Sequence, residues 1–94
     1  MHTILITGAG SGIGKATAEL LSSRPNTRLI LLGRRIEKLQ EVLNSLENSS
    51  SHSIASVDVS DKNQLISLLD SSEANLKSHP LVGVFANAGI GGPN

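Results

Sequence analysis

Four glycines fall within the seven residues from Gly8 to Gly14, in the stretch Thr7-Gly8-Ala9-Gly10-Ser11-Gly12-Ile13-Gly14, and no other feature of the chain restricts its fold as tightly. The stretch stands between an apolar run, Ile4-Leu5-Ile6, and a segment of helical spacing that begins near Ser11. Glycine reaches positive φ without steric cost, and a backbone with no Cβ lets a bulky anion come close. A helix opening directly after such a turn aims its unpaired N–H groups and the positive end of its dipole at the same anion. Strand, glycine turn and helix in that order open a doubly wound nucleotide-binding sheet.

The rest of the chain repeats this alternation. Thr3 to Thr7 is apolar and β-branched without polar alternation, the pattern of a parallel strand buried on both faces. Ile13, Ala16, Thr17, Leu20 and Leu21 then recur at helical spacing up to about Arg24, where Pro25-Asn26 stops the helix. Arg28 to Leu32 reads as a second buried strand, closed by Gly33 and the pair Arg34-Arg35. A second helix carries Ile36, Leu39, Val42, Leu43 and Leu46 on one face, and polar Asn48 to Ser51 form a loop. Ser53 to Val57 is a weaker third strand. The next helix, capped by Ser60 or Asp61, is expected to run to roughly His79, with Pro80 ending it and Leu81 to Ala86 forming a fourth strand. The order is βαβαβαβ. With short right-handed connections it predicts an α/β fold whose parallel sheet has the spatial order 3-2-1-4.

Composition narrows the function classes. At 94 residues and 38% hydrophobic content the chain can bury one modest core. Its formal net charge is zero, so there is no basic field for nucleic acid and no polybasic face for a membrane. Residues 1–47 do carry a surplus of two positives, and an anionic ligand would prefer that half. The absence of cysteine excludes disulfides, thiolate metal sites and a cysteine nucleophile; with no leader-like N-terminus it fits a cytoplasmic protein. His2, His52 and His79 are scattered without helical pairing, so they read as surface or loop residues and no metal site is expected. Asp58-x-x-Asp61 with Asp70 lacks the glycine and terminal glutamate of a calcium loop.

The glycine turn separates known phosphate motifs letter by letter. The triphosphatase pattern G-x-x-x-x-G-K-[ST] fails because Ala9 stands five before Gly14 and Ala16 follows Lys15. The G-x-G-x-x-G fingerprint fails because its last glycine would fall on Ile13 or Lys15. T-G-x-x-x-G-x-G fits, through Thr7-Gly8, Gly12 and Gly14. In this spacing the chain resembles the classical branch of the short-chain dehydrogenase/reductase family. Ser11 occupies a position where the extended branch of that family has glycine. Asp58-Val59 resembles the family's acidic pair after the third strand, and Asn87-Ala88-Gly89 its N-A-G after the fourth.

The resemblance implies a Rossmann-type sheet truncated after the fourth strand. Residues 1–94 would be its NADP-binding portion, the N-terminal part of a longer domain. It implies that Gly8, Gly10, Ser11, Gly12, Ile13 and Gly14 wrap the pyrophosphate and nearby ribose of a dinucleotide. Asp58 would accept from the adenine amino group while the Val59 backbone meets the ring. Asn87 would tie the first and fourth strands together and Gly89 would let the cofactor ribose pass, with Ala88 also in the cofactor-binding stretch. A helix cap is the alternative role for Asp58.

Cofactor preference follows from charge. An NAD site places a carboxylate at the end of the second strand to accept from the ribose 2′-hydroxyl, and that carboxylate repels a 2′-phosphate. Here Gly33-Arg34-Arg35 holds the place. Arg34, with Arg35 beside it, can form forked charge-assisted bonds to phosphate, which favours NADP(H) over NAD(H).

The family's catalytic Tyr-x-x-x-Lys lies beyond its N-A-G motif. This chain has no tyrosine and extends five residues past Gly89, so no catalytic residue is assigned and the 94 residues alone are expected to be inactive as a reductase. The expected parent is a homo-oligomeric NADP-dependent oxidoreductase acting on a small alcohol or carbonyl compound. The competing expectation is a short non-catalytic dinucleotide-binding module whose sheet is completed by a partner chain. In either case Val82-Gly83-Val84-Phe85 is left as an apolar edge.

Overall fold

The computed structural model describes residues 1–10, 12–58, 60–71 and 74–86. Its centre is a pair of parallel strands, β1 (His2–Thr7) and β2 (Thr27–Gly33), joined through helix α1 (Gly12–Leu21). Helix α2 (Ile36–Ser45) and a 3-10 turn at Ser49–Ser51 lead to β3 (Ser53–Ser56) on the far side of β2. Helix α3 (Lys62–Asp70) crosses back to β4 (Leu81–Ala86), which pairs in parallel with β1. The sheet order is β3-β2-β1-β4, the expected 3-2-1-4 Rossmann arrangement.

The apolar runs of β1 and β2 have no polar alternation because both faces of the sheet are covered. Side chains alternate across a strand, so each run feeds two cores. On one face Ile6, Leu29 and Leu31 pack with Ala18 and Leu21 of α1 and with Leu39, Val42 and Leu46 at α2. On the other, Leu5, Ile30 and Leu32 pack with Val57 and Ala74, with Leu65, Leu68 and Leu69 of α3 partly buried beside them. Each fully buried leucine or isoleucine contributes about 1.5–3 kcal/mol, so these two strands carry most of the stability.

Helix α1 presents a different face from the one its spacing predicts. Gly14, Ala18 and Leu21 are buried, while Ile13 is 75% and Leu20 74% exposed. The cause is the close approach of the helix to the glycine turn: a Cβ on Gly14 would stand 2.2 Å from the Gly8 carbonyl oxygen. Near the turn only small residues can lie against the sheet at that distance, which turns Ile13 and Leu20 outward, while Leu21 at the far end of the helix still reaches the core.

Helix α3 is also shorter than expected. Asp61 caps its start, its Oδ1 accepting from the Asn63 and Gln64 amides at 3.0 and 3.3 Å. It ends at Asp70 rather than near His79, because Ser71 turns extended and its hydroxyl donates to the Leu68 carbonyl at 2.6 Å while accepting from the Ala74 amide at 3.2 Å. A serine hydroxyl competing for backbone groups ends the helix well before Pro80.

Two polar residues are buried, Arg28 at the start of the second strand and His52, which was expected at the surface or in a loop. Arg28, at the amino end of β2, donates through Nε and Nη2 to Thr3 Oγ1 at 3.2 and 2.9 Å, and through Nη2 to the Ala74 carbonyl. Thr3 Oγ1 in turn donates to the His79 carbonyl at 2.6 Å. Burial pulls the Arg28 pKa below its usual value, and its charge sits at the opposite end of the strands from the glycine turn, where it cannot meet a ligand there. His52, only 7% exposed, accepts from the Leu29 amide at Nδ1 (3.0 Å) and stands 3.1 Å from the Glu47 carbonyl at Nε2. It fills the rung below Ile30–Ser53, where the β2–β3 ladder begins.

At the other edge, among the described residues, no strand pairs with the outer side of β4. Val82 and Val84 are 57% and 54% exposed and Phe85 is 44% exposed, so the expected apolar edge is present.

Candidate functional site

All four strands are parallel, so their carboxyl ends lie along one rim of the sheet. β1 is flanked there by β2, reached through α1, and by β4, reached through α3 from the other face. The chain thus reverses its winding direction at β1, and open α/β sheets form a ligand crevice at that point.

The glycine turn occupies the crevice. Gly8 and Gly12 have φ of +63° and +52°, the left-handed region where a side chain is strained. Ala9 is fully buried and its amide donates to the Leu32 carbonyl at 3.3 Å, which pins the turn to the end of β2. A Cβ on Gly10 would stand 3.0 Å from Lys38 Cβ, so the first turn of α2 also packs against it. Helix α1 starts at Gly12, and its first amides, which have no intrahelical acceptor, open onto the same turn. The result is a backbone cradle with little room for side chains, suited to an anion.

Arg34 follows β2 on the same rim and is exposed. Its carbonyl accepts from Ser56 Oγ at 3.2 Å, and the Val57 amide donates to the Gly33 carbonyl at 2.8 Å. Arg35 is the N-cap residue of α2, and its Nε lies 3.5 Å from Glu37 Oε1 in a pair exposed on both sides. Such a surface pair contributes little, so Arg35 is easily redirected.

Asp58 follows β3 on this rim. Its Oδ1 accepts from the Ser60 hydroxyl at 2.6 Å and the Ser60 amide at 3.0 Å, and its own amide donates to Gln64 Oε1 at 3.0 Å. The Ser60 hydrogen bonds, and to a smaller extent the charge of Arg34, hold the Asp58 carboxyl below the usual carboxylate range. It is therefore an ionised acceptor beside an arginine. It does not cap α3, since Asp61 does that.

The structure thus gathers Gly8, Gly10, Gly12, Ile13, Gly14, Arg34, Arg35 and Asp58 along one rim. Ser11, Val59, Asn87, Ala88 and Gly89 lie outside the described residues. Among the described residues no group of three or more His, Asp or Glu side chains could hold a metal ion, and no helix is long and apolar enough to cross a membrane. Ser56, Lys38 and Gln64 belong to the site's surroundings without having been expected there. Gln64 had a signal, because Asp61-x-x-Gln64 is a capping-box spacing, and its Nε2 does donate to Asp61 Oδ2 at 3.2 Å. Ser56 and Lys38 had none, since only strand register and helix docking bring them in.

Known proteins with this chain's sequence or shape are consistent with one another. Its sequence is 38% identical over 91 residues to the uncharacterized oxidoreductase Lmo0432 of Listeria monocytogenes, covering 93% of this chain and 34% of that protein. It is 39% identical over 71 residues to an NADP-dependent 3-hydroxy acid dehydrogenase of Schizosaccharomyces pombe, covering 73% of this chain and 27% of that protein. Its fold superposes with a TM-score of 0.77 and 26% identity on an actinorhodin polyketide ketoreductase solved with NADPH, over 93% of this chain and 33% of that one. The chain spans about a third of the length of such curated relatives. The family model for short chain dehydrogenases matches residues 2–94. Matched by that model over all but its first residue, and folded as a solved relative folds, the chain belongs to the short-chain dehydrogenase family.

Proposed function

We propose that residues 1–94 are the NADP(H)-binding portion of an oxidoreductase, the N-terminal part of a longer domain, which transfers hydride between the nicotinamide cofactor and an alcohol or carbonyl substrate. The observation that carries the cofactor choice is Arg34, exposed at the carboxyl end of β2, with no carboxylate in its place to repel a 2′-phosphate. A Gly14 Cβ would enter the turn at 2.2 Å from Gly8 O, so the site suits a ligand that the backbone itself contacts, such as a pyrophosphate. In this reading Gly8, Gly10, Ser11, Gly12, Ile13 and Gly14 hold the pyrophosphate and Arg34 and Arg35 hold the 2′-phosphate. Asp58 accepts from the adenine amino group through the lone pairs that Ser60 leaves open, beside the Val59 backbone. Asn87 ties the first and fourth strands together, and Gly89, with Ala88 beside it in the cofactor-binding stretch, lets the ribose pass close. When bound, the cofactor would supply or accept the hydride, and these residues orient it. An NADP-dependent relative and an NADPH-bound structural neighbour support the preference. The cytoplasmic assignment, drawn from the cysteine-free composition, and a homo-oligomeric parent belong to the same proposal.

The open edge of β4 favours completion of the sheet by further chain. If the native protein's intact mass equals that of these 94 residues, the non-catalytic module completed by a partner chain is the reading to keep.

The test is a fluorescence titration of the chain with NADPH, with NADH as control. NADPH should bind at least about ten-fold more tightly, the worth of a charge-assisted contact to phosphate. Equal affinities would remove the NADP preference, and no binding by a folded chain would remove the binding role of these residues.

A further inference from the structure

We propose that Ser56 is a positioning residue for the 2′-phosphate end of the site, holding the backbone of Arg34 so that its guanidinium faces the phosphate. The inference rests on the NADP(H) reading above.

Arg34 lies in the short link between β2, which ends at Gly33, and α2, which starts at Ile36. At the α2 end Arg35, the N-cap residue, makes no side-chain cap bond, and its carbonyl accepts from the Lys38 and Leu39 amides at 3.1 and 3.2 Å. The carbonyl of Arg34 itself is held from the neighbouring strand. Gly33 pairs with Ser56 as the last rung of the β2–β3 ladder. Two consecutive carbonyls, the last of β2 and the first of the link, are held by two consecutive residues: Gly33 O accepts from the Val57 amide at 2.8 Å, and Arg34 O accepts from Ser56 Oγ at 3.2 Å. The first bond continues the strand and any residue can make it. The second requires a hydroxyl at position 56.

A guanidinium binds phosphate through donors in a rigid planar fork, so its value depends on direction as well as distance. Anchoring the peptide that carries Arg34 limits the directions its side chain can sample. The electrostatic influence of Arg34 on Asp58, two residues after Ser56, is consistent with the same close approach of the two strand exits. Ser56 itself contacts no ligand in this scheme. Its effect should therefore appear only in ligands that Arg34 touches.

Adenosine 2′,5′-bisphosphate and 5′-AMP differ by the 2′-phosphate alone, and calorimetric titration of the 94-residue chain with each isolates that contact. Ser56→Ala should weaken the bisphosphate about three- to ten-fold, the effect of losing one orienting hydrogen bond, while 5′-AMP changes by less than about two-fold. Ser56→Thr, which keeps the hydroxyl, should restore the preference. In an Arg34→Ala background the Ser56→Ala effect should vanish, because a residue acting through Arg34 has nothing left to act on. Equal weakening of both ligands, weakening of neither, persistence without Arg34, or an unfolded Ser56→Ala chain would each overturn the positioning role. The two readings fail separately. If Arg34→Ala removes the bisphosphate preference and Ser56→Ala does not, only the role of Ser56 falls. If the unmodified chain shows no preference, the NADP(H) reading falls and takes this inference with it; if Arg34→Ala leaves the preference unchanged, the role of Arg34 falls and this inference with it.

Discussion

Gly14 in the first turn of α1 lies against Gly8 at the end of β1, so closely that a Cβ on Gly14 would stand 2.2 Å from the Gly8 carbonyl oxygen and 2.8 Å from its carbonyl carbon. The contact sets how far the helix start sits from the strand end, and therefore the size of the cradle between them. It also decides which side of α1 faces the sheet.

Gly14→Ala and Gly12→Ala should accordingly differ. The first meets backbone that cannot yield and should cost about 3 kcal/mol through overpacking. The second meets nothing within 4 Å but must hold φ of +52°, which costs about 1–2 kcal/mol. Urea unfolding of both variants checks the ranking, and equal losses would show that the close contact relaxes.

Arg34→Asp should invert the cofactor preference. It removes a charge-assisted partner of the 2′-phosphate and offers the ribose hydroxyl an acceptor. NADPH affinity should fall by about ten- to a hundred-fold, with NADH gaining. Parallel titrations read the ratio directly, and an unchanged ratio contradicts the role given to Arg34.

Thr3→Val tests the buried network at the other end of the sheet. The hydroxyl of Thr3 accepts two bonds from Arg28 and donates one to the His79 carbonyl. The isosteric change leaves a buried guanidinium short of acceptors, with an expected loss of about 2–3 kcal/mol. Since the rim that carries the glycine turn and Arg34 is at the far end of the strands, nucleotide affinity of the folded variant should stay unchanged.

Acid should loosen the link between α2 and β3 through His52. Burial lowers the pKa of His52, against smaller opposing effects of the Glu47 and Ser22 backbone, and Nδ1 accepts from the Leu29 amide, so protonation breaks that bond. The folded pKa lies below the unfolded value, so the unfolded chain binds the proton more readily. The stabilisation is complete above about pH 6.5 and is lost as pH falls from there toward the folded pKa. Denaturant midpoints measured from pH 7.5 to 5 should decline, and the decline should shrink in His52→Gln; identical pH profiles would exclude His52 as its source.

Much of this architecture was legible as pattern. Unbroken apolar runs in β1 and β2 can be stable only inside a covered sheet, and the T-G-x-x-x-G-x-G spacing rejects the other phosphate turns without reference to coordinates. Arg34 could be assigned to the rim because its role depends on sequence distance from the end of a strand. Asp58 could be assigned there as well, although its alternative role as the cap of α3 was removed only by the observation that Asp61 holds the α3 amides.

What only the tertiary structure decided concerns residues whose meaning depends on a neighbour distant in sequence. Periodicity marked Ile13 and Leu20 as the inner face of α1, yet the Gly14–Gly8 contact turned them outward. Scattered placement put His52 at the surface or in a loop, yet the Leu29 amide supplies a partner that lets it be buried; Arg28 likewise is buried because Thr3 and Ala74 accept from it. Ser56 carries no motif at all, and its relation to Arg34 across 22 residues exists only once β3 pairs with β2. Local spacing determines strands, helices and turns because those depend on near neighbours. Burial and the orientation of a side chain depend on which strands lie side by side, and the order β3-β2-β1-β4 establishes that only when the chain has folded.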